Sequence, residues 1–284
     1  MQIGVAAMTL SVGFQGLIYS LLKKHLHPGD TFVECSMVLE KTPEHVRSRL
    51  TALLKGATPP TALICICLRP DPETVAAYRS AGIPIVLIDE EQSGASTVAS
   101  DNFAGGLLAA RHLIVSGRRS LGIVCGRRRI EGGYNAAERM RGFAKGLSDN
   151  GLSLGPERVI EVTNYSRKDG IDAMAQLLNR GDPLDAVFCA AGDLCASGML
   201  VAARERGVRI PQEVALLGYD DAPVAVSCDP PLSTLRQPLD RISREAYQLA
   251  TEEAAAILDR PRKLLLEPQL VARASTPAGP ARRT

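Results

Sequence analysis

Carboxylates mark the ends of apolar runs in this sequence of 284 residues. Asp193 follows residues 186–190, a run with the length and β-branched content of a buried strand. Asp220 and Asp221 follow a second such run, 214–217. Between them residues 194–206 have helical apolar spacing, and Gly207 stops the helix. Strand, helix, strand in this length is a βαβ unit with a parallel pair. Open parallel sheets bind ligands beyond the carboxyl ends of their strands, so this unit brings the three carboxylates to one rim. Asp89 ends another strand pattern, 84–88. Each carboxylate can accept from a ligand donor or cap the next helix, and Asp193 reads as an N-cap acceptor. Arg139 offers a rigid fork to paired oxygens, or a surface salt bridge to Glu138. Tyr165 lies between a strand pattern at 159–162 and the next helix. Only 4% of the residues are aromatic and none is Trp, so a ring at a rim loop is informative. Arg127, Arg128 and Arg129 follow a strand pattern at 121–125 and read as a solvated loop or an anion-holding rim.

The elements that position these residues form two series. The first runs strand 3–6, helix 14–26, strand 31–35, helix 42–54, strand 62–68, helix 71–81 and strand 84–88. Thr42-Pro43-Glu44 supplies a cap, a proline at the first helical position and an acidic first turn. The second runs strand 96–99, helix 103–115, strand 121–125, helix 136–147, strand 159–162 and helix 168–178, and continues into the βαβ unit. A strand at 233–236, a helix at 240–258 and β runs at 263–267 and 269–272 follow. The Pro/Arg-rich tail 277–284 is expected to be disordered. Alternation of this kind predicts two α/β, doubly wound parallel-sheet lobes.

The order FCAAGDLCASGML, ARERGVRIPQEVALLGYDD and PPLSTLRQP, with Glu138-Arg139-Met140-Arg141-Gly142-Phe143 upstream, resembles the ligand-binding core of the lactose/galactose repressor family (LacI/GalR) from Ile3 to Thr276. The resemblance implies a periplasmic-binding-protein type I fold whose chain crosses three times between lobes, near Ala99, Leu232 and Pro268. It implies an N-terminal lobe of 1–99 plus 233–267, a C-terminal lobe of 100–232 plus 268–276, and a ligand cleft between them. The implied ligand contacts are Phe14, Asp89, Arg139, Tyr165, Asp193, Asp220 and Gln237. Gly192 departs from the Asn or Ser common in the family and removes a side-chain partner for the effector.

The implied function is the effector-sensing core of a transcriptional regulator, a homodimer that binds a sugar or sugar derivative. The alternative is a stand-alone cytosolic solute-binding protein. A three-helix headpiece does not fit before Ile3, so DNA is expected as a partner only if such a headpiece precedes Met1 in the natural gene product. No apolar run reaches the roughly 20 residues needed to span a bilayer, and no signal peptide is legible, so a cytoplasmic protein without membrane contact is expected. A net charge of +2 announces no nucleic-acid partner by itself. The seven cysteines lack CxxC spacing and the four histidines are not placed beside them, so neither metal nor cofactor is expected. There is no Walker loop, G-x-G-x-x-G or G-x-S-x-G, and an enzyme is not expected.

Overall fold

The computed structural model describes residues 1–11, 13–37, 42–127, 134–181, 183–256 and 260–276. The chain forms two compact units, Met1–Ser100 with Pro238–Leu266, and Asp101–Gln237 with Glu267–Thr284.

The first unit contains β1 (Gln2–Ala7), α1 (Gly13–Lys24), β2 (Thr31–Ser36), α2 (Pro43–Leu54), β3 (Ala62–Ile66), α3 (Pro72–Ser80), β4 (Ile85–Ile88) and β5 (Ser96–Ser100). It is completed by α9 (Leu239–Ala254) and β11 (Lys263–Leu266). Its sheet has the order β11-β5-β4-β3-β1-β2, with parallel pairing throughout. Every residue of β3 and β4 is buried. Helices cover both faces of such strands, which therefore read as continuous apolar runs rather than as alternations. Helix α9 buries Ile242, Ala246, Tyr247, Leu249 and Ala250 against α1 and strands β3 to β5. Burial contributes about 1.5–3 kcal/mol for each large side chain.

The second unit contains α4 (Asn102–Val115), β6 (Leu121–Gly126), α5 (Tyr134–Ser148), β7 (Val159–Val162), α6 (Arg167–Leu178), β8 (Ala186–Cys189) and α7 (Asp193–Glu205). Then come β9 (Ala215–Asp220), the short α8 (Val224–Ser227), β10 (Ser233–Arg236) and β12 (Gln269–Val271). The sheet order is β12-β10-β9-β8-β6-β7. Only the β12 edge pairs antiparallel. Two helix pairs cross here with their backbones touching. A Cβ added to Gly106 of α4 would strike the Arg139 carbonyl oxygen, and one added to Gly142 of α5 would strike that of Phe103. Gly170 and Gly198 make the same seam between α6 and α7, against the carbonyls of Cys195 and Arg167.

The structure corrects several expectations. Strand β10 belongs to the second sheet, where it pairs parallel with β9, and not to the N-terminal lobe predicted as 233–267. The chain leaves the second unit after Gln237, five residues beyond the crossing expected near Leu232. Asp193 is not the cap of α7: that position is Gly192, which has no side chain to offer. Strand β9 continues through Asp220 rather than ending at 217. The strand expected at 62–68 ends at Ile66, and Cys67 turns into the left-handed region at φ 46°. Arg128, Arg129 and the tail 277–284 lie outside the described residues.

Candidate functional site

The carboxyl rim of the second sheet holds a connected polar network. Arg139 projects from α5, the helix after β6. Its Nε donates to Asn102 Oδ1 at 2.7 Å and its Nη1 to the Ala190 carbonyl at 2.8 Å. The guanidinium lies 3.6 Å from the centroid of the Tyr219 ring, and the Tyr219 hydroxyl donates to the same Asn102 oxygen at 3.3 Å. The Tyr219 ring is itself fixed by Phe188 at 6.2 Å, which packs on Phe143 at 5.3 Å. Stacking and two hydrogen bonds hold the fork in place and leave Nη2 without a protein acceptor among the described residues. The surface salt bridge to Glu138 is made by Arg141 instead.

Asp220 follows Tyr219 with φ 101°, and Asp221 has φ 57°. Gln237 Nε2 donates to Asp220 Oδ1 at 2.6 Å. Asp221 is a different kind of acid. Arg236 and Arg273 each donate to it at 2.6 Å. Burial alone would raise its carboxyl, but the two guanidiniums outweigh burial and hold it below the usual range. Asp193 is 1% exposed and anchors the turn from beneath. It accepts from the Ala222 amide at 2.8 Å and from the Thr234 hydroxyl at 2.7 Å, and Thr234 Oγ1 in turn accepts from the Asp221 amide at 3.3 Å. Burial, with smaller pushes from Asp220 and Asp221, raises the Asp193 carboxyl to about 7 against the pull of its Thr234 bond.

Tyr165 follows β7 and has φ 56°. Its ring is 44% exposed, its hydroxyl covers Gly126 where any Cβ would collide, and partial burial raises its phenol. Arg127 is exposed beside it and directs Nε and Nη2 to Thr163 Oγ1 at 3.2 and 3.1 Å.

In the first unit, Asp89 follows β4 with φ 58°, is 2% exposed, and accepts from the Ser100 amide at 3.3 Å. Phe14 opens α1 and packs half-buried on the core. Gln15, missed in the sequence, bridges this rim by donating to the Ile66 carbonyl at 3.0 Å and accepting from the Thr9 amide at 3.1 Å.

Non-glycine residues at positive φ mark both rims: Cys67 and Asp89 in the first unit, Tyr165, Asp220 and Asp221 in the second. Such conformations cost of order 1–3 kcal/mol each and persist where surrounding contacts impose them. Asn102 is the main residue sequence reading missed. Asn and Asp side by side at a helix start both fit a cap, whereas Asp101 caps α4 and Asn102, 3% exposed, serves Arg139, Tyr219 and Asn135. Cavities of about 360 and 160 Å³ lie elsewhere, on the outer face of α2 and beside the start of β4. Among the described residues no cluster of His, Cys, Asp and Glu could hold a metal ion.

Two doubly wound α/β units of one strand order define the periplasmic-binding-protein-like class. The chain matches the periplasmic binding protein-like domain over residues 110–276 and belongs to that family, as a ligand-binding core of the LacI/GalR type. It is 33% identical over 224 residues to the HTH-type transcriptional repressor PurR of Escherichia coli O1:K1, a match that covers 78% of this chain and 64% of the repressor. Among solved structures it is similar to the transcriptional regulator CelR in complex with cellobiose, with a TM-score of 0.82, 27% identity and coverage of 96% and 84%. The lac repressor dimer bound to operator and the anti-inducer ONPF shares the fold at a TM-score of 0.84 and 23% identity, with 98% and 94% covered.

Proposed function

We propose that the chain is the effector-sensing core of a LacI/GalR-type transcriptional regulator, that it acts in the cytoplasm as a homodimer and not as an enzyme, and that its effector is a sugar or related small molecule. DNA is a partner only if a headpiece is present in the full-length gene product. Phe14, Asp89, Arg139, Tyr165, Asp193, Asp220 and Gln237 are the proposed site residues, with Asp193 positioning the turn that presents Asp220. The observation that carries the reading is a fixed donor fork at Arg139, stacked on Tyr219, with an acceptor at Asp220, the residue that follows Tyr219 in β9. No helix of the described residues is long and apolar enough to cross a membrane.

The test is a thermal-shift screen of neutral sugars, cellobiose included, beside sugar phosphates and sugar acids, followed by calorimetry. Asp220→Asn and Arg139→Ala each weaken the best binder by roughly 1–3 kcal/mol through loss of charge-assisted hydrogen bonds. Unchanged affinity in both variants removes this rim as the site. Arg127 beside Tyr165 favours an acidic group on the effector, and a neutral sugar that binds better than its phosphorylated form overturns that part. Sedimentation at micromolar concentration gives a dimer; monomer alone favours a stand-alone binder.

A further inference from the structure

The first unit has a cavity at the end of its sheet opposite the Asp89 rim. It encloses about 160 Å³ beside the start of β4. Arg79, Glu253 and Arg260 supply its charges, and Ile83, Pro84 and Pro261 supply apolar wall. Sites for larger ligands occupy roughly 300–1,000 Å³, so this one suits a molecule of few atoms.

The chain holds two of these charged groups in place and leaves binding atoms on each unused. Ser96, 0% exposed at the start of β5, accepts from the Arg262 amide at 2.8 Å and donates to Glu253 Oε1. No donor among the described residues reaches Glu253 Oε2. Burial raises the Glu253 carboxyl against the pull of Ser96, Arg262 and Arg79. The stem of Arg79 lies across Gly94, which has φ 85°. A Cβ built there would stand 3.1 Å from Arg79 Nη1 and 3.4 Å from its Cδ, so a side chain at 94 would push the guanidinium aside. Arg79 is near enough to act on the Glu253 charge, yet no ion pair joins them. Among the described residues neither Arg79 nor Arg260 has a side-chain acceptor, and Arg262 pairs with Glu252 at 3.9 Å instead.

Opposite charges that line one cavity without meeting leave a gap for a molecule carrying both signs. A guanidinium fork suits a carboxylate, and a carboxylate oxygen suits an ammonium. Helices α3 and α9 both end at this rim, and the partial negative charge of helix carboxyl ends favours a cation there. A lone anion would face Glu253 and those helix ends. A lone cation would face two guanidiniums.

We propose that this cavity binds a small aliphatic α-amino acid as its zwitterion, with the α-carboxylate on Arg79 and Arg260, the ammonium on Glu253 Oε2, and the side chain against Ile83, Pro84 and Pro261. The site lies wholly within the first unit and does not depend on the reading of the Asp220 rim as the effector site.

The experiment is an NMR titration of the isotope-labelled full chain with L-alanine and L-valine. N-acetyl-L-alanine, L-alaninamide, propionate and inorganic phosphate are titrated beside them. Concentrations run to about 10 mM, enough to saturate a millimolar site. Alanine or valine should shift the amide signals of Gly82, Gly94 and Ser96 to saturation. N-acetyl-L-alanine, which lacks the ammonium, and L-alaninamide, which lacks the carboxylate, should each bind tenfold or more weaker than L-alanine. Arg79→Gln should weaken L-alanine tenfold or more and bring it within threefold of its amide, because the partner of the carboxylate is gone. Glu253→Gln should likewise bring L-alanine within threefold of its N-acetyl form. Arg79 is exposed, so the Arg79→Gln comparison decides the matter should Glu253→Gln fail to fold. Propionate or phosphate binding as tightly as L-alanine would mean an anion site only and overturns the proposal. So do shifts at Gly192 and Asp220 in place of those at Gly82, Gly94 and Ser96, and so does the absence of saturable shifts with either amino acid.

Discussion

The two units repeat one strand order but are built to different tolerances. In the first, Gln15 ties two loops, Asp89 accepts from the Ser100 amide, and Phe14 packs on the core. In the second, Asn102, Arg139 and Tyr219 form one network, and Asp193, Thr234, Asp221, Arg236 and Arg273 form another. Helix seams follow the same division, for glycine-to-carbonyl contact between neighbouring helices occurs at α4–α5 and α6–α7. One scaffold thus carries two solutions, and the chemistry belongs to the rim rather than to the topology.

The largest effect expected to sharpen this contrast concerns Asp193. Its carboxyl is raised from 3.8 to about 7 in the folded chain, so the native state binds the proton more tightly than the unfolded state does. Stability is then highest below pH 3.8 as far as this group is concerned and falls as pH rises through 7. The full span is on the order of 4 kcal/mol. Denaturant unfolding of Asp193→Asn against wild type between pH 4 and 8 should show that fall in wild type alone. Parallel pH profiles would mean that Asp193 titrates normally.

Next in size is the seam. Gly142→Ala drives a methyl into the Phe103 carbonyl and costs about 2–3 kcal/mol. Differential scanning calorimetry should show the loss in the transition of the second unit. A matching loss in the first unit's transition would erase the contrast in rigidity. Asn102→Ala removes the acceptor shared by Arg139 and Tyr219 and costs about 1–3 kcal/mol, and it weakens effector binding as the fork loses its anchor. Unaltered affinity in that variant would separate the network from the site. The smallest effect belongs to the first unit. Arg47 pairs with Asp71 and Glu73 on an exposed face, and Arg47→Ala should leave the unfolding temperature within error.

Much of the fold was legible because parallel strands covered on both faces leave unbroken apolar runs, as at β3, β8 and β9. The membership of β10 was not legible. Its four residues announce a strand, but the neighbour it pairs with is chosen by contacts that periodicity does not encode. Asp193 misled for a local reason. A carboxylate at a helix start satisfies capping rules, and only the φ of Gly192 shows that the cap position falls one residue earlier. The sequence could set Arg139 on a helix beside an acid at 138. It could not show that Arg141 takes Glu138 while Arg139 lies on Tyr219, because that choice depends on how closely α4 and α5 approach.

The glycine seams also bear on how such a chain can change over generations. Where two backbones already touch, no larger residue is one mutation away from acceptance, since both helices would have to part together. Exposed side chains of the loop after β7, such as Thr163 and Asn164, are under no such restriction. Divergence into new ligand preferences is therefore channelled to those few loop positions. A saturation library of this unit scored for folding should show Gly106, Gly142, Gly170 and Gly198 nearly immutable beside exposed loop residues such as Thr163 and Asn164, which accept most replacements.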